Sequence, residues 1–321
     1  MRYSKRKSLI ITGIHGFVGQ NLVKSLSDEY DIYGVDIRQH PMDGVLKIFS
    51  WEEFDQLPVS ETVIHLAGIA HDIKNKISKK RYFDVNTGLT VKIFDWFQSV
   101  GASRFIFFSS VKAVADRPGD VVLTEHAIPT PSGFYGESKR AAEEYILDHP
   151  MDNELRTAPL SFVYILRPAM IYGPGNKGNL NLLYRFVKSY MPWPLGAFRN
   201  KRSFCSIDNI IFIVRKMLNE TIPSGIYHIA DDDYTSTSDL VSYISEGLGR
   251  KSLIVSFPIS LIKKAASLGS IFHLPFNKER LKKVTENYMV SNAKIKTALG
   301  IHKLPVDSRT GIIQTIKSFR R

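Results

Sequence analysis

The first half of this 321-residue chain predicts a doubly wound α/β fold. Three observations carry that expectation. Short apolar runs alternate with longer amphipathic stretches, a glycine-rich turn joins the first run to the first amphipathic stretch, and an acidic residue closes the second run. Ser8–Thr12 is the first buried-strand run, and Phe17–Leu26 has helical spacing. Ile32–Asp36, Leu46–Phe49, Thr62–Ala67 and Arg104–Ser109 are further strands, with helices over Lys80–Val100 and Tyr135–Leu147. Strands separated by helices need crossover connections and therefore pair in parallel.

Tyr164–Tyr172 reads as one more strand, after which the texture changes. Gly173–Asn179 and Met191–Gly196 are loops, strands recur at Ser203–Ile207 and Ile226–Ile229, and helices at Thr237–Leu248, Ala293–Leu299 and Ser308–Ser318. The expected organisation is a nucleotide-binding domain over residues 1–172, re-entered around 203–230, and a smaller mixed α/β lobe over 173–321. The chain shows no internal repeat and no low-complexity segment.

Composition narrows the function classes. Hydrophobic residues at 44% allow a real core, so a disordered tail is excluded. The single cysteine, Cys205, excludes a disulfide framework and a Cys-based zinc site, and no metal site is expected. A net charge of +12 points to an anionic partner: nucleic acid, an acidic membrane surface or a phosphorylated small molecule. No recognition motif or basic–aromatic strip supports nucleic acid. No apolar run reaches the roughly 18 residues of a membrane span. The best stretch, Leu253–Phe272, is broken by Pro258, Lys263 and Lys264 and reads as a surface helix. The expectation is a cytoplasmic protein without a span. Peripheral docking on an acidic inner membrane is one use for Arg2, Lys5, Arg6, Lys7, Lys263 and Lys264, against the plainer reading of solvated lysines.

Thr12-Gly13-Ile14-His15-Gly16-Phe17-Val18-Gly19 joins the first strand to the first helix. Gly13 permits the tight turn, Gly16 lets backbone approach a pyrophosphate, and Gly19 lets helix and sheet pack closely. The helix N-terminus then offers unpaired N–H groups to the phosphates. Asp36, at the end of the second strand, suits the hydroxyls of an adenosine ribose, in a Rossmann-type site. A carboxylate there favours NAD. Arg38, two residues on, would suit the 2′-phosphate of NADP or simply be a loop cation; NAD is preferred.

Ser109-Ser110 ends the fifth strand, where such sheets present ligand contacts, and Tyr135-Gly136-Glu137-Ser138-Lys139 opens the next helix. Residues i and i+4 share a helical face, so Tyr135 and Lys139 can point into one cleft. A free tyrosine, with a pKa of about 10, is a poor base at neutrality. The lysine ammonium and the positive charge of a nicotinamide are expected to lower it. Ser110 would hold the substrate oxygen while Tyr135 exchanges its proton.

Thr12–Gly19, Asp36, His65-Leu66-Ala67-Gly68, Asn86, Ser109-Ser110, Tyr135-x-x-x-Lys139 and Arg167–Gly175 together resemble the extended short-chain dehydrogenase/reductases. More narrowly they resemble the nucleotide-sugar epimerase/dehydratase branch. The resemblance implies that Gly13, Gly16, Phe17 and Gly19 meet the pyrophosphate and that Asp36, with Arg38 beside it, meets the adenosine ribose. It implies that Leu66, Ala67, Gly68, Asn86 and Pro168 line the cofactor cleft. Ser110, Tyr135 and Lys139 match the catalytic trio, Lys139 also holding the nicotinamide ribose. Ser109 and Ser110 would meet the substrate, Asn179 and Leu180 the sugar-nucleotide phosphates, and Arg202 a diphosphate, with Arg280 as a second candidate. Leu195 lies in Pro192-Trp193-Pro194-Leu195-Gly196, similar to the nucleotide-binding stretch of polysaccharide-pathway members.

Two departures stand out. Ser110 is followed by Val111-Lys112-Ala113-Val114-Ala115, not by the common version ending Val-Tyr-Gly, which leaves the sugar pocket open. Val111 and Lys112 also replace the Asp-Glu pair of the 4,6-dehydratases, which disfavours elimination. The resemblance therefore implies a UDP-sugar 4-epimerase or a 4-ketoreductase of a UDP-4-keto-6-deoxy-N-acetylhexosamine. It also implies a homodimer through the helices at Lys80–Val100 and Tyr135–Leu147. A non-catalytic nucleotide-binding regulator would need the glycine turn but not the trio.

Overall fold

Leu9, Ile10 and Ile11 are all fully buried, and they feed two different cores. Leu9 and Ile11 join one and Ile10 the other. Alternate side chains of a strand point to opposite faces, so β1 (Ser8–Thr12) is the middle of a sheet covered on both sides. In the computed structural model, which describes residues 6–70, 77–150, 161–176, 178–272 and 276–319, that sheet has seven strands. Besides β1 they are β2 (Asp31–Val35), β3 (Lys47–Phe49), β4 (Thr62–His65), β5 (Arg104–Phe108), β7 (Phe162–Pro168) and β10 (Gly225–Ile229). The spatial order is β10-β7-β5-β4-β1-β2-β3, with every pairing parallel. The order reverses between β1 and β4, and the crevice beyond their carboxyl ends is where such sheets take ligands.

One face carries α1 (Phe17–Leu26) and α6 (Ile207–Asn219), through Leu22, Leu26, Ile210 and Ile213. The other carries α3 (Leu89–Ser99) and α4 (Phe134–Asp148), through Ile93, Phe94, Phe97 and Ala142. A separate core packs α5 (Asn179–Lys188), α7 (Thr237–Gly247), α8 (Ile259–Ile271), α9 (Lys278–Thr285) and α11 (Ser308–Ser318) around Tyr172 and Phe204. Beside it α10 (Ala293–Ala298) packs on the sheet, and β6 (Val122–Leu123) pairs with β11 (Met289–Val290). No helix among the described residues is long and apolar enough to cross a membrane.

Four features differ from expectation. The strand over Tyr164–Tyr172 is two strands: β7 stops at Pro168, and β8 (Met170–Tyr172) pairs with β9 (Phe204–Ser206) in another sheet. Proline has no N–H to continue a ladder. The helix over Lys80–Val100 is α2 (Lys79–Phe83) and α3 joined by a π-helical turn, Asp84–Gly88. The surface helix starts only after Pro258, and the residues before it are extended, bridging Trp193 to Ile254 and Leu195 to Ser256. Helices α5, α6 and α9 were not expected, although α6 was legible. Its Ser206 N-cap and buried Ile207, Ile210, Ile213, Val214 and Met217 carry a legible helical period. Arg2, Lys5 and Lys177 lie outside the described residues.

Candidate active site

The glycine turn is built around contacts no other residue would allow. Gly13 sits at φ +66°, and a Cβ there would lie 2.8 Å from the Ala67 nitrogen. Its N–H donates to the Val35 carbonyl at 2.8 Å, tying the turn to β2. Gly16 caps α1 with no side-chain bond, and the first turn holds no acid, so the terminal N–H groups face the crevice free of a built-in anion. Gly19 lies buried on α1 against the turn. Phe17 packs beside Gly173, and Asn21 bonds both the Phe17 carbonyl and the Pro174 carbonyl, joining this turn to the Gly173–Gly175 loop.

Asp36 is buried at the end of β2. Its two oxygens accept the N–H groups of His15, at 3.0 Å, and Arg38, at 3.1 Å. The Arg38 guanidinium donates to the His15 carbonyl at 2.9 Å and stands 3.7 Å from the Asp36 carboxylate. The sequence left Arg38 between a 2′-phosphate ligand and a loop cation; here it is folded back onto the turn and Asp36. The His15 and His40 rings stack at 4.0 Å beside it and wall a cavity of about 480 Å³ with Lys24 and Met42. Neither histidine was singled out from the sequence, because no motif marks the pair.

Beyond β4, the Leu66 and Ala67 N–H groups donate to the Thr12 hydroxyl at 3.2 and 3.1 Å. His65 itself is not in the crevice. Its ring is fully buried between the Thr12 and Thr90 hydroxyls, at 2.6 and 2.9 Å. The Thr90 hydroxyl donates to the Asn86 carbonyl, so it accepts from His65 Nε2–H, and Nδ1 accepts from Thr12. Burial and the Lys139 charge hold this imidazole well below its ordinary pKa, and so neutral. Asn86, on the π turn, accepts from the Ile69 N–H at 2.6 Å and donates to the Ile69 carbonyl and the Ser138 hydroxyl. It therefore positions the loop after β4 against α4.

The reacting groups meet across this loop. Ser110 follows β5 and accepts the Lys112 N–H at 3.2 Å, and its hydroxyl lies next to the Tyr135 phenol. Lys139 is buried and donates to the Phe108 carbonyl at 2.9 Å; a Cβ at Gly68 would stand 2.9 Å from Asn86 Oδ1 and 3.2 Å from Lys139 Nζ. Burial pulls the Lys139 pKa down to about 8, opposed by the Glu143 charge. Burial raises the Tyr135 pKa in the protein alone, and the Ser110 hydroxyl partly offsets it. Pro168 is buried at the end of β7, paired with Ile229.

Ser109 also departs from its expected substrate role. It is buried, and its hydroxyl donates to Glu143 at 2.5 Å, so the strand-end pair divides: Ser110 faces Tyr135 and Ser109 faces inward. In the second lobe, the Leu180 and Leu195 side chains belong to the buried core. They are packing residues, and any substrate contact there falls to backbone. Asn179 opens α5. The Arg202 backbone bridges Thr235 and Tyr288, and its guanidinium donates to the Lys283 carbonyl of α9 at 2.7 Å. Arg280, on the same helix, is exposed. Lys112 is ion-paired with Asp116 at 2.7 Å.

Known proteins match this arrangement. The model of the NAD dependent epimerase/dehydratase family fits residues 9–230. A UDP-glucose 4-epimerase of Vibrio cholerae is 32% identical, over 98% of this chain and 95% of that protein. An N-acetyl-α-D-glucosaminyl-diphospho-ditrans,octacis-undecaprenol 4-epimerase of Escherichia coli O157:H7 is 26% identical, over 90% and 84%. The Bordetella bronchiseptica enzyme WbmG, solved in complex with NAD, superposes with a TM-score of 0.75 at 17% identity, covering all of this chain and 96% of that one. The Gly13 cradle and the uncapped α1 fit the family's cofactor, NAD, and the chain belongs to the NAD-dependent epimerase/dehydratase family of extended short-chain dehydrogenases/reductases.

Proposed function

We propose that the chain is a 4-epimerase of a UDP-hexose or UDP-N-acetylhexosamine, passing through a transient 4-keto sugar, in bacterial surface-polysaccharide biosynthesis. The observation that carries this reading is the placing of Tyr135 next to Ser110 and on the same face of α4 as a buried Lys139. The two 4-epimerase relatives support the reaction, and the second supports an N-acetylated sugar. Residues 1–172 with 203–230 would hold the nucleotide cofactor, and the rest of 173–321 the substrate. A cytoplasmic homodimer is the proposed state.

Bound NAD supplies hydride removal and return at C4 of the sugar. The turn Gly13–Gly19 and the α1 N-terminus would hold its pyrophosphate, and Asp36 its adenosine ribose. Ser110 would hold the C4 oxygen by a hydrogen bond. Tyr135 would take the proton as the hydroxyl becomes a carbonyl and return it when the hydroxyl re-forms. Its raised pKa makes that proton hard to remove at neutrality, so a positive charge must stand nearby. Lys139 provides one below about pH 8.

Denaturing the purified protein and identifying any released nicotinamide cofactor tests the reading without a substrate. Near-stoichiometric NAD, followed by interconversion of UDP-glucose and UDP-galactose or of their N-acetylated forms by NMR, is the expected result. A cofactor-free protein that binds NADPH better than NADH would replace it with the 4-ketoreductase.

A further inference from the structure

The chain from Arg250 to Phe272 turns apolar side chains outward in two successive patterns. Leu253, Val255 and Phe257 are all exposed and alternate along an extended segment, so they share one of its faces. Helix α8 follows. It buries Ile262, Ala266 and Gly269 against the second core but leaves Leu261, Ala265, Leu268 and Phe272 in solvent. The spacing i, i+4, i+7, i+11 makes these a second apolar stripe on the helix, beside the one the core uses. Leu268 is 56% exposed and Phe272 67%. Scattered surface leucines need no explanation, but two outward rows in succession along the chain do.

Charge decides what covers them. From Arg250 to Lys283 the sequence holds eight lysines and arginines and one acid, Glu279, which is itself paired with Lys283 at 2.7 Å. Arg250 lies over the exposed Tyr190 ring at 4.0 Å, at the edge of the same surface. A second copy of this chain would bring two strongly basic faces together, whereas an acidic headgroup layer is complementary to one.

We propose that this lobe docks on an anionic lipid bilayer, inserting the Leu261–Phe272 stripe of α8 with Lys263 and Lys264 at headgroup level. Shallow apolar insertion and basic attraction are each marginal anchors, and together they hold a peripheral protein. The bond from Arg202 to the Lys283 carbonyl places the candidate diphosphate ligand on the docking lobe. The inference is independent of which reaction the site performs, because it rests on residues outside that site.

Cosedimentation of the full chain with vesicles tests it. Binding is expected to mixed phosphatidylglycerol–phosphatidylethanolamine vesicles, to weaken at least tenfold in high salt, and to be absent with phosphatidylcholine. Leu268→Glu with Phe272→Glu, and separately Lys263→Glu with Lys264→Glu, should each cut the bound fraction at least tenfold. Both pairs should leave the thermal midpoint and NAD binding unchanged. No sedimentation with anionic vesicles, equal binding to phosphatidylcholine, or full binding by either variant would overturn the proposal. So would a dimer that Leu268→Glu with Phe272→Glu splits in lipid-free solution, since the face would then be a contact between copies.

Discussion

Arg167 grips both carboxylate oxygens of Glu143, at 2.8 and 2.6 Å, with neither side chain reaching solvent. The pair lies one helical turn beyond Lys139 on α4 and also receives the Ser109 hydroxyl. Removing Arg167 leaves buried Glu143 with only the longer contact to Arg140, at 3.4 Å, and removing Glu143 strands the Arg167 charge in the core. Arg167→Met should therefore cost about 3–5 kcal/mol, read as a lowered urea midpoint. Adding Glu143→Gln should recover part of that loss; a double variant no more stable than the single one would show that the pair is not acting as a unit.

The same carboxylate reaches the chemistry through Lys139, whose pKa it raises against the lowering by burial. The ammonium is present below about pH 8 and lost above it. Turnover should fall as the pH rises through that value, and Glu143→Gln should move the fall to lower pH. A pH–rate profile of wild type and variant checks both, and an unmoved alkaline limb would detach Glu143 from Lys139.

Tyr135→Phe removes the hydroxyl next to Ser110 and leaves the ring. Loss of a positioned acid–base group costs about 10²–10⁴-fold in rate. The expected result is turnover down by that amount with the dissociation constant for NAD within about threefold of wild type, measured by fluorescence titration. Lys139→Met should instead weaken both.

Asp36 accepts two backbone N–H groups while Arg38 folds over it. Asp36→Ala should weaken NAD binding by about tenfold, the size of one or two hydrogen bonds, and free Arg38 for a 2′-phosphate. NADP binding should improve in that variant and return to its former level when Arg38→Ala is added, as calorimetric titration would show.

The β1–turn–α1 unit, Asp36 and the Tyr135/Lys139 spacing were legible because each rests on local period, glycine placement or the i, i+4 face of a helix. Local rules could not show that Pro168 ends β7 while Met170 begins a strand of another sheet, since that depends on what lies alongside. Nor could they show that the Lys80–Val100 helix takes a π turn. The turn presents Asn86 to Ser138, 52 residues away, and only the folded chain brings the two together.

By itself the sequence determined the fold class and marked the glycine turn and the Tyr135/Lys139 face, because periodicity and short spacing are properties of the chain before it folds. Tertiary structure decided the pairing of buried polar groups. It turned Ser109 to Glu143 and set Ser110 beside Tyr135, placed Leu180 and Leu195 in a core, and buried the tyrosine so that its pKa rises in the protein alone. The physical reason is common to all of these. Desolvation and hydrogen-bond satisfaction depend on which groups the fold brings face to face, and in the Glu143–Arg167 pair those groups come from a helix and a strand 24 residues apart.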